Sequence, residues 1–186
     1  MTAQIPDRVF YENEIFDLCG VKGGGLFDPY AHGLDPMSVN TACHRGYACT
    51  YKVENSTLYL DRVEMGFDRE RLNGDEPGPP PGLFGIAPRF DGNLGCSYSN
   101  LDRLMPYSGG LMLGHGFIVE LYVHMGFQPA HKFRKVLELI LMDGRVVNAI
   151  DRSREMAEVR DRRGRAEWDG SNGLDEWINH TFSLIY

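Results

Sequence analysis

Residues 135–150 read KVLELILMDGRVVNAI, two apolar runs joined by Asp143-Gly144. An Asp-Gly pair is typical of the two-residue type I′ turn, because both central positions of that turn need a positive φ. Short apolar runs on either side of such a turn favour strands over helices. The stretch therefore predicts a β-hairpin.

Glu138 interrupts the apolar run between Val136 and Met142. A carboxylate in the protein interior would need a partner, and burial would raise its pKa. Arg134, Arg145 or a histidine could supply that partner. The simpler interpretation is an edge strand that carries a guard charge against pairing with another chain.

Two earlier stretches show the same arrangement of alternating runs around a polar turn. Residues 8–18 read RVFYENEIFDL, and residues 47–63 read YACTYKVENSTLYLDRV. Both predict further hairpins. Side chains alternate across a strand. One face of the strand that starts at residue 47 is therefore expected to carry Tyr47, Cys49, Tyr51 and Val53.

Residues 110–127 contain a longer alternating segment. Phe117, Val119 and Leu121 alternate with Ile118, Glu120 and Tyr122, and the alternation continues to residue 125. Strict alternation favours a strand, with Glu120, Tyr122 and His124 on one of its faces. A helix through Phe117, Leu121 and Met125 is the competing interpretation.

Together these patterns predict a mainly β fold, that is, a β-rich α+β protein. We expect an antiparallel curved sheet or closed barrel of about eight strands with a C-terminal helix packed on it. A two-layer α+β arrangement is the alternative. The chain of 186 residues is expected to form a single domain over 1–186, with a Pro/Gly-rich exposed loop at 73–82.

The C-terminal part of the chain has a helical charge pattern. Arg154 and Glu158, and then Glu158 and Arg162, form i,i+4 pairs of opposite charge, which predicts a solvated helix from about residue 152 to Gly164. A hairpin that turns at Arg163-Gly164 is the alternative. Apolar residues at helical spacing from Leu174 to Phe182 predict a terminal amphipathic helix that packs on the sheet.

The formal net charge of −7 argues against a nucleic-acid-binding protein, which would show a basic surface, and permits a basic protein partner. No apolar run is long enough to span a membrane, and the first residues do not resemble a secretory signal. We therefore expect a cytoplasmic protein without a membrane association. Its cysteines are expected to be free thiols: Cys19, Cys43, Cys49 and Cys96.

Cys43 and Arg45 form a candidate ligand-binding site, since a thiol beside a cationic group can have a lowered pKa and become nucleophilic. The simpler interpretation is a small buried cysteine and an exposed or paired arginine. Glu120, Tyr122 and His124 on one strand face could bind a polar ligand or perform acid–base chemistry. The histidines show no metal-binding spacing, so the sequence predicts no metal site and no cofactor.

Three functional hypotheses follow from these residues. The first is a non-enzymatic binding protein whose acidic surface meets a basic protein partner, as in an immunity-like or regulatory role. The second is a barrel that binds a small apolar or aromatic ligand between Tyr47, Tyr51, Tyr122, Glu120 and His124, which requires an internal cavity. The third is an enzyme of unknown reaction that uses His124 and Glu120. The oligomeric state is not indicated by the sequence.

Overall fold

The computed structural model of the protein describes residues 2–67, 79–91 and 93–163. Within these ranges, eight strands form one sheet, and an α-helix follows the last strand. The predicted fold class, a mainly antiparallel curved β-sheet with a C-terminal helix packed on it, is confirmed. The elements are β1 (Arg8–Tyr11), β2 (Glu14–Gly23), β3 (Tyr47–Glu54), β4 (Thr57–Gly66), β5 (Gly95–Leu104), β6 (Gly109–Phe117), β7 (Phe133–Met142), β8 (Arg145–Asp151) and α1 (Ser153–Arg163).

All three predicted hairpins form, as β1–β2, β3–β4 and β7–β8. Each turn has two residues with positive φ, as the type I′ geometry requires. Asp143 has φ 46° and Gly144 has φ 78°, so the Asp-Gly pair fulfils its predicted role. The other two turns have the less usual pairs Glu12-Asn13 and Asn55-Ser56 in the same conformation.

The sheet curves back on itself into a ring-like arrangement. Its strands follow the order β3-β1-β2-β6-β7-β8-β4-β5, and β3 also pairs with β4. The pairing of β1 with β3 is parallel, and the other strand pairs of this sheet are antiparallel. Between β8 and β4 the contact is short. There the backbone N–H of Leu58 donates to the carbonyl of Gly144, and that of Val146 to Ser56, both at 2.8 Å.

Four strands carry extra residues that have no counterpart on a neighbouring strand: Cys19 in β2, Asp61 in β4, Val147 in β8 and, opposite Asp61, residues within 100–102 in β5. Such β-bulges bend a strand and increase its twist, and a sheet that returns on itself needs this curvature. The concave side encloses the core. Its largest fully buried side chains include Phe16, Leu18, Tyr51, Leu58, Leu60, Met65, Tyr98, Leu111, Leu113 and Leu139.

The prediction of a strand through residues 117–126 is wrong beyond Phe117. In β6 the last paired residue is Phe117, which lies opposite Phe133 at the start of β7. The chain then turns away, and Val119–Leu121 form a short 3₁₀ turn. One more backbone contact follows, from the N–H of Ile118 to the carbonyl of Lys132 at 2.9 Å. Because Ala130–Lys132 form a 3₁₀ turn and not a strand, the alternating residues after Ile118 do not join the ladder. Val119 is accordingly 73% exposed.

The edge-strand interpretation of Glu138 is also wrong. Its strand, β7, lies between β6 and β8, and the Glu138 side chain is buried. Arg152, which was not among the candidates expected from the sequence, is a partner of Glu138. Arg152 donates to Glu138 Oε2 from Nε at 2.8 Å and from Nη2 at 2.6 Å. The guanidinium reaches the carboxylate because Arg152 directly follows β8, the neighbouring strand.

The helix α1 confirms the prediction of a helix after residue 152. Arg154 and Glu158 form the expected i,i+4 ion pair at 3.4 Å. The guanidinium of Arg160 connects the helix to the sheet, because it donates hydrogen bonds to the backbone carbonyls of His131 and Phe133. No helix among the described residues is long and apolar enough to cross a membrane. The predicted terminal helix at 174–182 lies outside the described residues, as does the predicted loop apart from residues 79–82.

We predict that Arg152→Met lowers the melting temperature by several degrees, because it removes a cationic partner from a buried carboxylate. Arg154→Met is the matched control, since its ion pair with Glu158 joins side chains that are 95% and 60% exposed. Exposed pairs contribute little to stability. Thermal unfolding followed by circular dichroism measures both. Equal melting temperatures for the two variants would contradict the role given to Arg152.

Candidate functional site

A cavity of about 200 Å³ lies between β2, β3 and the loop that follows β2. Its deep wall consists of buried apolar side chains, of which Leu18 and Tyr51 are each 1% exposed. Gly24 and Gly25, which also line it, are exposed. The cavity therefore leads from the core of the sheet to the surface of the protein.

An ion pair forms the polar wall of this cavity. Asp7 lies one residue before β1 and is buried. Arg45 donates from Nη1 to Asp7 Oδ2 at 3.1 Å and from Nη2 to Asp7 Oδ1. The backbone N–H of Cys49 donates to the same Oδ1 at 2.6 Å. Because the two charges cancel, this wall offers hydrogen-bonding groups without a net charge.

A tight turn before β3 positions Arg45. The N–H of Gly46 donates to the carbonyl of Cys43 at 3.0 Å, and Gly46 has φ 78°. A Cβ at this glycine would lie 2.9 Å from the backbone of Met37, so the turn needs glycine for space as well as for conformation. The turn lets Arg45 fold back, and its Nε donates to the carbonyl of Tyr47 at 2.7 Å.

The two tyrosines of β3, Tyr47 and Tyr51, line the cavity. The Arg45 guanidinium carbon lies 4.6 Å from the centroid of the Tyr47 ring, a cation–π contact. The Tyr47 hydroxyl donates to the carbonyl of Phe27 at 3.4 Å. Burial raises the pKa of Tyr47 to about 12, although Arg45 acts in the opposite direction. At neutral pH this hydroxyl is therefore protonated and can donate.

Cys43 lies beside this site but does not line the cavity. It is buried, and its Sγ donates to the carbonyl of Tyr47 at 3.3 Å. Burial raises the pKa of the Cys43 thiol, and this effect outweighs the lowering by Arg45. The structure thus gives Cys43 the features of a structural thiol and pairs Arg45 with Asp7, in agreement with the simpler of the two interpretations.

A second cavity, of about 270 Å³, shares Leu26 and Phe27 with the first. Phe27 stacks on His32 with ring centroids 5.3 Å apart, and His32 contacts Phe84 edge-on at 4.9 Å. These rings hold the loop that carries Phe27. The same loop supplies Leu26 and Phe27 to the wall of the first cavity.

Glu120, Tyr122 and His124 do not share a strand face, because the strand ends before them. All three are exposed. Tyr122 and His124 are in edge-to-face contact with ring centroids 4.8 Å apart. Tyr122 lines a third cavity, of about 240 Å³, whereas neither Glu120 nor His124 lines any of the three cavities.

Sequence reasoning missed Asp7 and the glycine mouth of the first cavity. Asp7 is a single acidic residue before a strand, and nothing near it in the sequence marks it as a partner of Arg45. Gly23-Gly24-Gly25 is visible as an irregular stretch. A Cβ at Gly24 or Gly25 would meet nothing within 4 Å. These glycines are therefore not required by crowding, and the space beside them at the surface end of the cavity is open.

Protein-family models, curated proteins and solved structures were compared with the chain, and none of them matches it. Among the described residues, no group of three or more His, Cys, Asp or Glu side chains could hold a metal ion. The four cysteines are free thiols. The site must therefore be interpreted from its own geometry.

We predict that Asp7→Asn lowers the free energy of unfolding by about 3 kcal/mol, because it leaves the Arg45 charge unpaired in a largely buried site. The double variant Asp7→Asn/Arg45→Met should regain part of this loss, since it removes the stranded charge as well. Asp102→Asn is the control and should have a much smaller effect, because the Asp102 side chain is 63% exposed and its partner Lys52 keeps its ion pairs with Glu54 and Asp61. Urea denaturation measures all three. A double variant less stable than Asp7→Asn would contradict this account.

A second prediction concerns alkaline pH. Burial raises the pKa of Tyr47 to about 12 and that of Tyr51 well above its ordinary value of 10.0. A pKa that is higher in the folded state contributes stability that is fully present below the unfolded value and is lost as pH rises through the folded value. The free energy of unfolding should therefore fall from pH 10 towards pH 12.

The variant Tyr47→Phe isolates the contribution of one hydroxyl to this fall. It should make the loss of stability above pH 10 less steep, whereas Tyr30→Phe, at an exposed tyrosine, should not change it. Urea denaturation at a series of alkaline pH values, with tyrosinate absorbance recorded in parallel, measures the effect. An unchanged slope in Tyr47→Phe would contradict the assignment.

Proposed function

We propose that this protein is a non-enzymatic binding protein that holds a small, neutral, single-ring molecule in the cavity between β2, β3 and the loop after β2. One observation carries the proposal: the same cavity joins a wall of buried apolar side chains to an ion pair that neutralises itself. Small-molecule sites typically combine a mostly apolar lining with a few polar groups that fix the orientation of the ligand.

The size of the cavity limits the ligand to about one ring. A cavity of about 150 Å³ in another protein binds benzene. Drug-sized ligands occupy about 300 Å³ or more. A volume of about 200 Å³ lies between these values. It supports a substituted single ring and argues against two fused rings.

The electrostatics of the cavity support a neutral ligand. A charged molecule would lose its hydration on entering and would meet no opposite net charge, because Asp7 and Arg45 neutralise each other. A guanidinium has five N–H groups, and the contacts with Asp7 and Tyr47 engage three of those of Arg45. A ring that carries a hydroxyl or carbonyl oxygen matches this combination of apolar space and hydrogen-bonding capacity.

The other two functional hypotheses stay predictions. The basic protein partner rests on the net charge of −7. The enzyme hypothesis rests on Glu120 and His124, and its premise of a shared strand face was wrong. The cavity with Tyr47 and Tyr51 is the specific geometric observation that favours ligand binding over both.

Phenol is a suitable probe of the proposal, and we expect saturable binding that shifts the methyl resonances of Leu18 and Val21 in ¹³C-methyl NMR spectra. Naphthol, with two fused rings, should bind much more weakly. Val21→Phe places a ring in the space of the ligand and should abolish phenol binding. Val147→Phe is the matched control, because it makes the same change at an exposed residue that lines none of the cavities.

Folding of both valine variants is checked by their amide NMR spectra. The proposal fails if phenol leaves the Leu18 and Val21 methyl resonances unshifted, or if Val21→Phe binds phenol as well as Val147→Phe does. Tighter binding of naphthol than of phenol would overturn the size limit.

A further inference from the structure

The third cavity, of about 240 Å³, differs from the first in its chemistry. It lies where the end of β6 and the start of β7 meet the N-terminal segment. Among the residues that the structure describes, Leu18 alone lines both this cavity and the first. The third cavity is otherwise lined by residues that the first cavity lacks, among them three aromatic rings, a carboxylate and two amides, so it is a separate site.

Three aromatic rings meet at steep angles in this cavity. The rings of Phe117 and Phe133 have centroids 5.3 Å apart and an interplanar angle of 66°. Those of Phe117 and Tyr122 are 6.3 Å apart at 88°. Neighbouring rings therefore contact each other edge to face, and the three rings, which all line the cavity, form the sides of a partial box. The ring of His124, which does not line the cavity, contacts the Tyr122 ring with centroids 4.8 Å apart.

Asp17 brings a carboxylate to the same cavity. Its side chain is 33% exposed, and Arg8 Nε lies 3.7 Å from Oδ1, beyond hydrogen-bond distance, on a side chain that is itself 60% exposed. Among the described residues no donor forms a hydrogen bond to this carboxylate. Burial raises the pKa of Asp17, and Arg8 and His115 lower it. The carboxylate is therefore desolvated without being fully neutralised, and a cation would stabilise its charge.

The two amides that line the cavity are already engaged. Gln4 donates from Nε2 to the carbonyl of Thr41 at 3.0 Å and accepts the N–H of His44 on Oε1 at 2.8 Å. Gln128 donates from Nε2 to the carbonyl of Val123 at 2.9 Å and accepts from Lys132 Nζ at 3.3 Å. Lys132 itself does not line the cavity. Little hydrogen-bonding capacity is left for a ligand besides that of Asp17.

We propose that this cavity binds a quaternary methylammonium group between the rings of Phe117, Tyr122 and Phe133, with Asp17 as its counter-ion. A cation over aromatic faces is attracted by their quadrupoles, and quaternary ammonium groups are the typical ligands of such aromatic boxes. The cavity is smaller than a drug-sized pocket, so it accepts the methylated head of a ligand and leaves the rest outside.

The shortage of free acceptors favours a fully methylated amine over a primary one. A primary ammonium has three N–H donors that need acceptors once they leave water. In this cavity it would find the Asp17 carboxylate and two amides that are in use. A quaternary ammonium has no N–H to satisfy, and its methyl groups fill the apolar space between the rings.

Choline is the first probe, titrated into the full chain and followed by isothermal calorimetry and two-dimensional NMR. 3,3-Dimethylbutanol is its matched control, because it has the same shape without the charge. We expect choline to bind with chemical-shift changes at Phe117 and Tyr122, and the neutral analogue and methylammonium to bind at least about tenfold more weakly. A short peptide with trimethyllysine, compared with the unmodified lysine peptide, tests whether the methylated group belongs to a free small molecule or to a protein side chain.

Two variants test the residues of the box. Tyr122→Ala removes one exposed wall and should weaken choline binding by about three- to thirty-fold. Tyr30→Ala is the control at another exposed tyrosine, which lines none of the cavities. Asp17→Asn keeps the shape of the side chain and should reduce the preference for choline over the neutral analogue. Val21→Phe should leave choline binding intact, which separates this site from the phenol site.

The proposal is overturned if neither choline nor the trimethyllysine peptide binds in the millimolar range. It is also overturned if the neutral analogue binds as tightly as choline, or if Tyr122→Ala binds choline like Tyr30→Ala. Binding of the trimethyllysine peptide alone supports the box and assigns its ligand to a protein side chain. Binding of choline with equal affinity supports a free small molecule.

Discussion

Asp7 joins the strands at which the sheet curves back on itself. The backbone carbonyl of Asp7 accepts the N–H of Leu18 on β2. The Asp7 carboxylate accepts the backbone N–H of Cys49 on β3 and N–H groups of the Arg45 guanidinium. Directly after it, β1 pairs with β3 in parallel, the exception in an otherwise antiparallel sheet. A hairpin cannot make a parallel pairing, so tertiary contacts must hold these strands in register. A buried carboxylate with three donors from one neighbouring segment supplies such a contact.

The same ion pair gives the first cavity its character. A buried charge must be paired, and the pairing of Asp7 with Arg45 leaves a polar wall that is neutral as a whole. In the third cavity, the Asp17 carboxylate has an exposed arginine at 3.7 Å and the imidazole of His115 nearby, and it accepts no hydrogen bond from the described residues. Two cavities that share Leu18 therefore differ in their electrostatics, the first suited to a neutral ring and the third to a cation. The difference comes from how completely each carboxylate is paired.

The hairpins could be predicted because they depend on local chemistry. The Asp143-Gly144 turn and the period-2 alternation around it involve neighbours in the sequence, as do the faces of β3 that direct Cys49 and Tyr51 inward. The same local reasoning failed at Glu120, Tyr122 and His124. Their alternation suits a strand, but a strand also needs a partner, and β7 begins at Phe133, level with Phe117. The sequence pattern contains no information about where the partner strand starts.

The sequence alone was sufficient to predict the β class, the hairpins and the helix after residue 152. It also places Tyr47, Tyr51 and Arg45 near one another along the chain. The tertiary structure alone decided that Asp7 pairs with Arg45 and that Glu138 pairs with Arg152. It also decided that Tyr122 lines a cavity together with Asp17 instead of sharing a strand face with Glu120. The physical reason is the range of the interactions. Turn geometry and side-chain alternation act over a few residues, whereas the Asp7–Arg45 ion pair and the cavity walls join residues that are far apart in the chain, and a local pattern does not specify such contacts.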